Sequence, residues 1–537
     1  MDMGSMLIDG FLRMTCLSKK VKFRSVSVLF LYSVGHQEVL QASELTITPT
    51  ATFQEIYSDN INLSSTGNEK NAFVTELSPG LSIVRRSARS TLNLNYRMQN
   101  LYNSGGNGGL KVFNQLQYNS HNIFIPNRLF LDSRSSIGQQ NINNNRLGND
   151  NISGAGNSTT VSTFGVSPYW TPHFGNVANG NVRVNADTVT TGSGATVNQN
   201  TNFGPTIPIS DSVNLSEILS LTSGTYFKKI NWNLSFNNSE SFRDIGQNTQ
   251  FQNASGLVRT YINKYFNVFA QGGYSNNSFQ SINNRQSNGA FYTVGGQWTP
   301  SQHYSIEAGA GNNSHITVSV SPIQRLSWVT TYRDNSVGLN SGKTWQTALN
   351  YKTRQSTWSV THDNDTVTSQ QLLLQHQVFS SNPTDPAGPV VIDPNNRPIN
   401  NGYLSNEVIV RKIWRASVTY LTGKSTWSAG AYSQNSEYQT NGIKQEATGL
   451  NGSWNWQFAS KTSAYLRPQW QQTKYATAKN SDQYYTDQYY DVAIGLNRSI
   501  TPMLNGRLEF RHLNQSSKLN SNNYEENRAT ASLFMRF

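Results

Sequence analysis

The chain is short of charge and almost without cysteine. Only 13% of its 537 residues are Asp, Glu, Lys or Arg, about half the ~25% of an ordinary soluble domain. A single cysteine, Cys16, is present, and it lies ahead of the segment read below as exported. That excludes a disulfide framework, a cysteine nucleophile and thiolate metal sites together. Long apolar runs are missing too. No stretch after residue 45 approaches the ~18–20 uninterrupted apolar residues of a spanning helix, which excludes a helical membrane protein. What is abundant is uncharged and polar, with Asn, Gln, Ser, Thr and Gly filling most of what the 36% hydrophobic residues leave. Aromatic residues are plentiful at 11 Trp, 25 Tyr and 24 Phe, far more than a chain unable to bury a core would carry, so disorder is excluded as well.

Residues 1–42 read as an export signal. Lys19, Lys20, Lys22 and Arg24 form a basic leader, Val26-Ser-Val-Leu-Phe-Leu-Tyr-Ser-Val34 is an apolar run too short to anchor, and Leu40-Gln-Ala42 offers a cleavage site. Met14 would begin a signal of more ordinary length. Removing the segment takes away five basic and three acidic residues, lowering the net charge from +12 to +10.

From Ile47 onward one pattern recurs: ten to twelve residues alternating apolar and polar, then a break. In Thr91-Leu-Asn-Leu-Asn-Tyr-Arg-Met-Gln99, Leu92, Leu94, Tyr96 and Met98 share one face and Asn93, Asn95, Arg97 and Gln99 the other. Period two means strand. The alternation returns in Asn451–Phe458, in Ala464–Trp470 and in the last nine residues, which end Leu533-Phe-Met-Arg-Phe537. The short breaks carry basic or turn residues: Arg85–Arg89, Asn263-Lys264, Thr299–Ser301, Thr353–Gln355, Gly423-Lys424, Ser460-Lys461 and Thr501-Pro502. The long ones are rich in Asn, Ser and Gly, at 58–71, 139–160, 189–222, 275–288, 380–403, 476–485 and 514–524. Short turns at one end and long loops at the other predict a single all-β antiparallel transmembrane barrel over 43–537, with about 20–24 strands, periplasmic turns and extracellular loops, in the outer membrane of a Gram-negative bacterium. Strict parity fails through 355–411. A β-helix or fibre is the structural alternative, but the chain has no fixed repeat with an invariant turn residue. The terminal Phe537 strand is similar to the segment that outer-membrane assembly machinery recognises. Ser356-Thr-Trp-Ser359 and Ser425-Thr-Trp-Ser428, each after a basic turn, suggest duplicated hairpins.

Several stretches, taken in order, resemble a known family. They are Phe53–Ile61 with Leu77-Ser-Pro-Gly-Leu81, Arg128-Leu-Phe-Leu-Asp-Ser133 with Gln139-Gln140, Val166-Ser-Pro168, Gly295-Gly-Gln-Trp-Thr-Pro-Ser301, Gly495-Leu-Asn-Arg-Ser-Ile-Thr-Pro502 and Tyr524-Glu-Glu-Asn-Arg528. The family comprises large outer-membrane barrels of exopolysaccharide gene neighbourhoods, associated with the PEP-CTERM and exosortase system. The resemblance implies an outer-membrane location, a role in exporting or displaying polysaccharide, polysaccharide-secretion components as partners, and no catalytic residues to carry over. The chain has no C-terminal PEP-plus-helix sorting tag, so it would be a partner of that system and not its cargo.

If the apolar faces meet lipid, the opposite positions line the lumen: Asn93, Asn95, Arg97 and Gln99, then Arg411 and Arg415, then Arg467 and Gln469, then Arg507, Glu509 and Arg511. Arginines there could grip carboxylate or phosphate groups of an anionic polymer moving through by weak exchangeable contacts. They could equally be a structural network, with Glu509 bracing Arg507 and Arg511. Trp427, Trp454, Trp456 and Trp470 read as lipid-facing or interfacial. Enzymatic signals are weak, and the chain is expected not to be an enzyme and to hold no cofactor or metal. His303-Tyr-Ser305 puts a base and a hydroxyl two apart on a strand face, a spacing that arises easily by chance. His362-Asp-Asn-Asp365, in an apparent loop, could bind a cation but reads better as a solvated turn. The basic residues are too scattered for nucleic acid. The reading is therefore a porin-like channel in exopolysaccharide export, with two alternatives: a surface-interaction barrel acting through its long loops, or an embedded hydrolase.

Overall fold

In a computed structural model of the chain, residues 44–105, 108–142, 147–148, 150–154, 158–192, 209–281, 287–375, 405–476, 484–518 and 522–537 are described. The segment read as an export signal lies outside them. The alternating segments pair, each with the next, into one antiparallel sheet running from Glu44–Ser58 to Tyr524–Arg536. These two end strands then pair with each other, antiparallel, with Ala51 opposite Met535 and Ser58 opposite Arg528. The sheet therefore closes, and antiparallel closure requires an even number of strands. There are 24, not counting the two-residue bridge His173–Phe174 in a turn. This is the upper end of the expected range.

Alternation sets the two faces. In Ala72–Arg86, Phe73 and Leu77 are 54% and 57% exposed while Val74 and Glu76 are each 1% exposed. The same split runs along the last strands, where Leu508 and Phe510 are open and Leu513 and Gln515 are covered. Among the described residues no helix is long and apolar enough to cross a membrane. The apolar, aromatic-rich exterior on a closed sheet is what spans.

Among the described residues the short breaks named above lie at one end of the cylinder, Thr299–Ser301 being the last residues of the strand that leads into its turn, and the strand ends that flank the long breaks lie at the other. The short turns share a local chemistry. The Ser90 amide donates to Ser87 Oγ (3.0 Å), the Ser356 amide to Thr353 Oγ1 (2.8 Å) and the Ser425 amide to Thr422 Oγ1 (2.8 Å), so a hydroxyl three residues back closes each turn. The two Ser-Thr-Trp-Ser repeats are the strand starts that follow two of these turns.

Three details differ from the sequence reading. The long break at 189–222 contains most of a strand, Ser212–Ser223, whose Ser- and Thr-rich face matches the loop composition beside it. His362–Asp365 is not a loop but part of the strand Ser356–Thr368. Parity fails after it because the next element is a helix, α1 (Ser369–Gln375), before the strand Val408–Leu421 resumes the sheet. The long-loop end also carries tight connections, Gly311 and Asn313 being separated by one residue.

Candidate functional site: the lumen wall and its outer mouth

The residues expected along the interior all lie on the face opposite the exposed apolar positions. What they do there differs from strand to strand. Asn93, near the short-turn end, is open, and Asn95 is half-buried. Arg97 pairs with Glu76 (3.5 Å), and Gln99 donates to the same carboxylate (2.9 Å). Arg411 takes Asp365 through its Nε and Nη2 edge (3.0 and 2.5 Å), and Arg415 lies 3.6 Å from Asp363. The two carboxylates read as a possible cation site are thus held by arginines, and the described residues hold no cluster of three or more metal-ligating side chains. Gln469 stands opposite Asp491 in the register.

The network expected about Glu509 extends beyond its own strand. Glu509 accepts from Arg467 (2.7 Å) and from the Tyr465 hydroxyl (2.5 Å), two strands away across the sheet. Arg511 is held bidentately by Asp491 (3.0 and 2.8 Å), and Arg507 donates to Asn497 Oδ1 (2.8 Å). Elsewhere on the same face Arg134 pairs with Asp187 (2.8 Å), Arg183 with Asp132, and Arg259 with Glu307 (2.7 Å). Between these pairs stand uncharged hydroxyl pairs, Ser235 with Ser255 (2.8 Å), Thr317 with Thr331 (3.0 Å) and Ser428 with Ser453 (2.8 Å).

The outer mouth is crossed by the chain's own segments, which the alternation could not foretell. Residues 147, 148 and 150–154, between the strands Leu129–Asn141 and Ser158–Trp170, lean in against the last three strands. The Gly148 amide donates to the Tyr524 hydroxyl (2.8 Å), the Leu147 amide to Gln515 Oε1 (2.9 Å) and the Ser153 hydroxyl to Glu526 (2.5 Å). Asp150 accepts from Arg528 (2.7 Å) and lies 3.4 Å from Arg511. Burial alone would push its carboxyl up, but the guanidiniums of Arg528 and Arg511 win and hold it below the usual carboxylate range. Asn151 ties the other side of the loop to Gln99 (2.7 Å) and Gln139 (3.1 Å). Leu147 packs with Tyr489 and Leu513.

Helix α1 crosses elsewhere. It opens with a reciprocal cap, the Gln371 amide donating to Thr368 Oγ1 (3.1 Å) and the Thr368 amide to Gln371 Oε1 (2.9 Å). Leu372 packs with Val367, Ile409, Tyr438 and Tyr475 on one wall, and Leu373 with Val161, Val189 and Ile209 on a wall nearly opposite in strand order. A circular 24-strand barrel would be roughly 45 Å across, and seven helical residues reach about 10 Å. The mouth is therefore drawn in across the helix.

His303 is in a turn, not on a strand face with Ser305, and its Nδ1–H donates to the Ser321 carbonyl (2.8 Å). On the outside, Trp427 stacks on Trp454 (4.9 Å) and Trp454 on Trp456 (5.8 Å), a ladder of indoles on the lipid side.

Closed antiparallel pairing, the apolar exterior and the unequal ends define an outer-membrane β-barrel. No family model and no curated protein matches the chain. Among solved structures it is similar to the FrpB iron transporter of Neisseria meningitidis, F5-1 variant (10% identity, 91% of this chain and 82% of that one, TM-score 0.43). It is also similar to the siderophore receptor PirA of Acinetobacter baumannii (8% identity, 93% and 81%, TM-score 0.45) and to a loop-deletion mutant of the Vibrio cholerae outer-membrane protein OmpT (7% identity, 92% and 100%, TM-score 0.30). The strand pairing, and not these distant likenesses, carries the class.

Proposed function

We propose that the barrel is a passive conduit for hydrated, hydroxyl-rich cargo, with exopolysaccharide leaving the cell as the cargo and the secretion components of the PEP-CTERM-associated family as its partners. The observation that supports it most is the composition of the inner face. Most of the arginines there are balanced by carboxylates of the same wall, so the surface left to a passing chain is made of Asn, Gln, Ser, Thr and Tyr groups, which exchange hydrogen bonds with sugar hydroxyls about as readily as with water. Such contacts bind weakly and release, as transport requires. The described parts of two long loops are spent on the mouth of the cylinder, which favours control of passage over outward adhesion. On this reading the chain is a conduit and not a hydrolase, and His303→Ala leaves its activity unaltered.

The test has two arms. Purified protein in planar bilayers is expected to conduct, and a strain lacking the gene is expected to retain polymer in the periplasm. Normal surface polymer in that strain would remove the export role even if the channel conducts.

A further inference from the structure

Arg411, Arg511 and Arg134 all use the same part of the guanidinium, the Nε and Nη2 edge, to hold a carboxylate on the inner face. Arg243, the last residue of the strand Ile230–Arg243 at the outer mouth, has no hydrogen-bond partner on that edge. Its Nη1 is anchored by the Asn406 and Gln247 carbonyls. Its Nε and Nη2 are covered from solvent and have no hydrogen-bond partner, and no carboxylate of the described residues pairs with it. Buried positive charge without a counter-charge is costly unless an anion arrives to meet it.

The neighbourhood carries more open valences of a complementary kind. Ser241 lies two residues back on the same face as Arg243, and Asn214 stands directly opposite Ser241 in the ladder. Ser241 Oγ and Asn214 Oδ1 are both buried and without a partner. Helix α1 is pinned beside them. Gln370 donates to Asn406 Oδ1, Asn406 donates to Ser210 Oγ (2.6 Å), and Gln371 donates to Ser239 (3.4 Å). Gln370 Oε1 and Ser369 Oγ, on that same first turn, are again buried and unpartnered. The site thus offers one carboxylate-shaped cationic edge, two amide oxygens that can only accept, and two hydroxyls that can do either. A bare inorganic anion would answer the first and leave the amide oxygens bare. A neutral sugar would answer the others and leave the guanidinium unbalanced.

We propose that this cluster at the outer mouth is a binding site for an acidic saccharide, with the carboxylate of a uronic acid on the Arg243 edge and ring hydroxyls donating to Asn214 and Gln370. The assignment rests on the conduit reading for its cargo class and makes that class specific. It is a station on the wall that a hexuronate-bearing chain occupies as it leaves.

The experiment is titration calorimetry on the full chain in detergent, with sodium galacturonate as probe and galactose and inorganic phosphate as comparators. Heat-modifiable migration on gels confirms that each variant is folded. Galacturonate is expected to bind wild type at least tenfold more tightly than either comparator. Arg243→Gln is expected to lose at least tenfold, Arg243→Lys, which keeps the charge but not the two-pronged edge, an intermediate amount, and Asn214→Ala severalfold. Equal affinity of wild type and Arg243→Gln, or no binding by wild type, would overturn the site. Phosphate binding as tightly as galacturonate would overturn its saccharide character. Bilayer conductance is read separately: a non-conducting protein that still binds galacturonate sinks the conduit and not the site, while a conducting protein that does not bind sinks the site alone.

Discussion

Tyr465 shows what alternation alone tells at the scale of one residue and what it leaves out. Its inward direction follows from period two, but its partners follow from register. The ring lies over Gly495, directly opposite on the next strand, where an added Cβ would come within 2.4 Å of ring carbon. Only glycine leaves that room, and the space lets the hydroxyl reach Glu509 beyond it. Gly449 does the same beneath Tyr432. Gly495→Val is expected to lift the ring, break the bond to Glu509 and cost about 1–3 kcal/mol by overpacking, read as an earlier midpoint in urea unfolding from detergent, while Gly495→Ala costs less. Asp150 gives a second test, set by charge. Its carboxyl is held below its ordinary range, so the stabilisation of the docked loop is complete above that range and is lost as pH falls through the lowered value. The amides of Leu147 and Gly148 are expected to stay protected from hydrogen exchange, relative to intrinsic rates, from pH 7 down to about 4 and to open below it. Asp150→Asn should lose about tenfold in protection already at pH 7; unchanged protection would show that the backbone bonds to Gln515 and Tyr524 hold the loop unaided.

At the scale of the element, the strands were legible because lipid outside and polar side chains inside enforce one two-residue rhythm on almost every segment. Where a segment met something else, the rhythm failed. Ser212–Ser223 carries so much Ser and Thr that it merges with its loop, and His362–Asp365 looked like a turn because its two inward acids answer arginines one strand away. Helix α1 did leave a local signal: Thr368-Ser-Gln-Gln371 ahead of three leucines is a capping box before an apolar run. Its destination left none, because packing against two walls depends on how the whole sheet closes. Arg243 was equally silent, since nothing local marks an arginine whose carboxylate is missing. The helix should be held by its leucines. Leu373→Ala is expected to cost about 2–5 kcal/mol of docking energy, enough to free the segment locally without unfolding the barrel. Single-channel recordings should then show longer or more frequent open periods, and recordings indistinguishable from wild type would mean that α1 does not obstruct passage.

At the scale of the molecule, the two inward segments meet different parts of one rim. Residues 147, 148 and 150–154 rest on the last three strands through Tyr489, Gln515, Tyr524, Glu526 and Arg528. Helix α1 bridges the walls marked by Ile409 and Val189. No hydrogen bond or apolar cluster of the described residues joins one segment to the other, and sites without shared partners act additively. Two independent obstructions in one mouth predict a specific pattern. Removing the 142–157 loop should raise conductance, Leu373→Ala should raise it separately, and the two together should give the sum of the single effects, with cation-to-anion selectivity near that of bulk salt because most wall arginines keep a carboxylate, Arg511 and Arg528 retaining Asp491 and Glu526 when Asp150 is gone. Bilayer recordings with a selectivity measurement across a salt gradient decide it. If either change alone already gives the full conductance of the double variant, the segments close the mouth as one unit, and the rim must transmit the release of one to the other through the sheet.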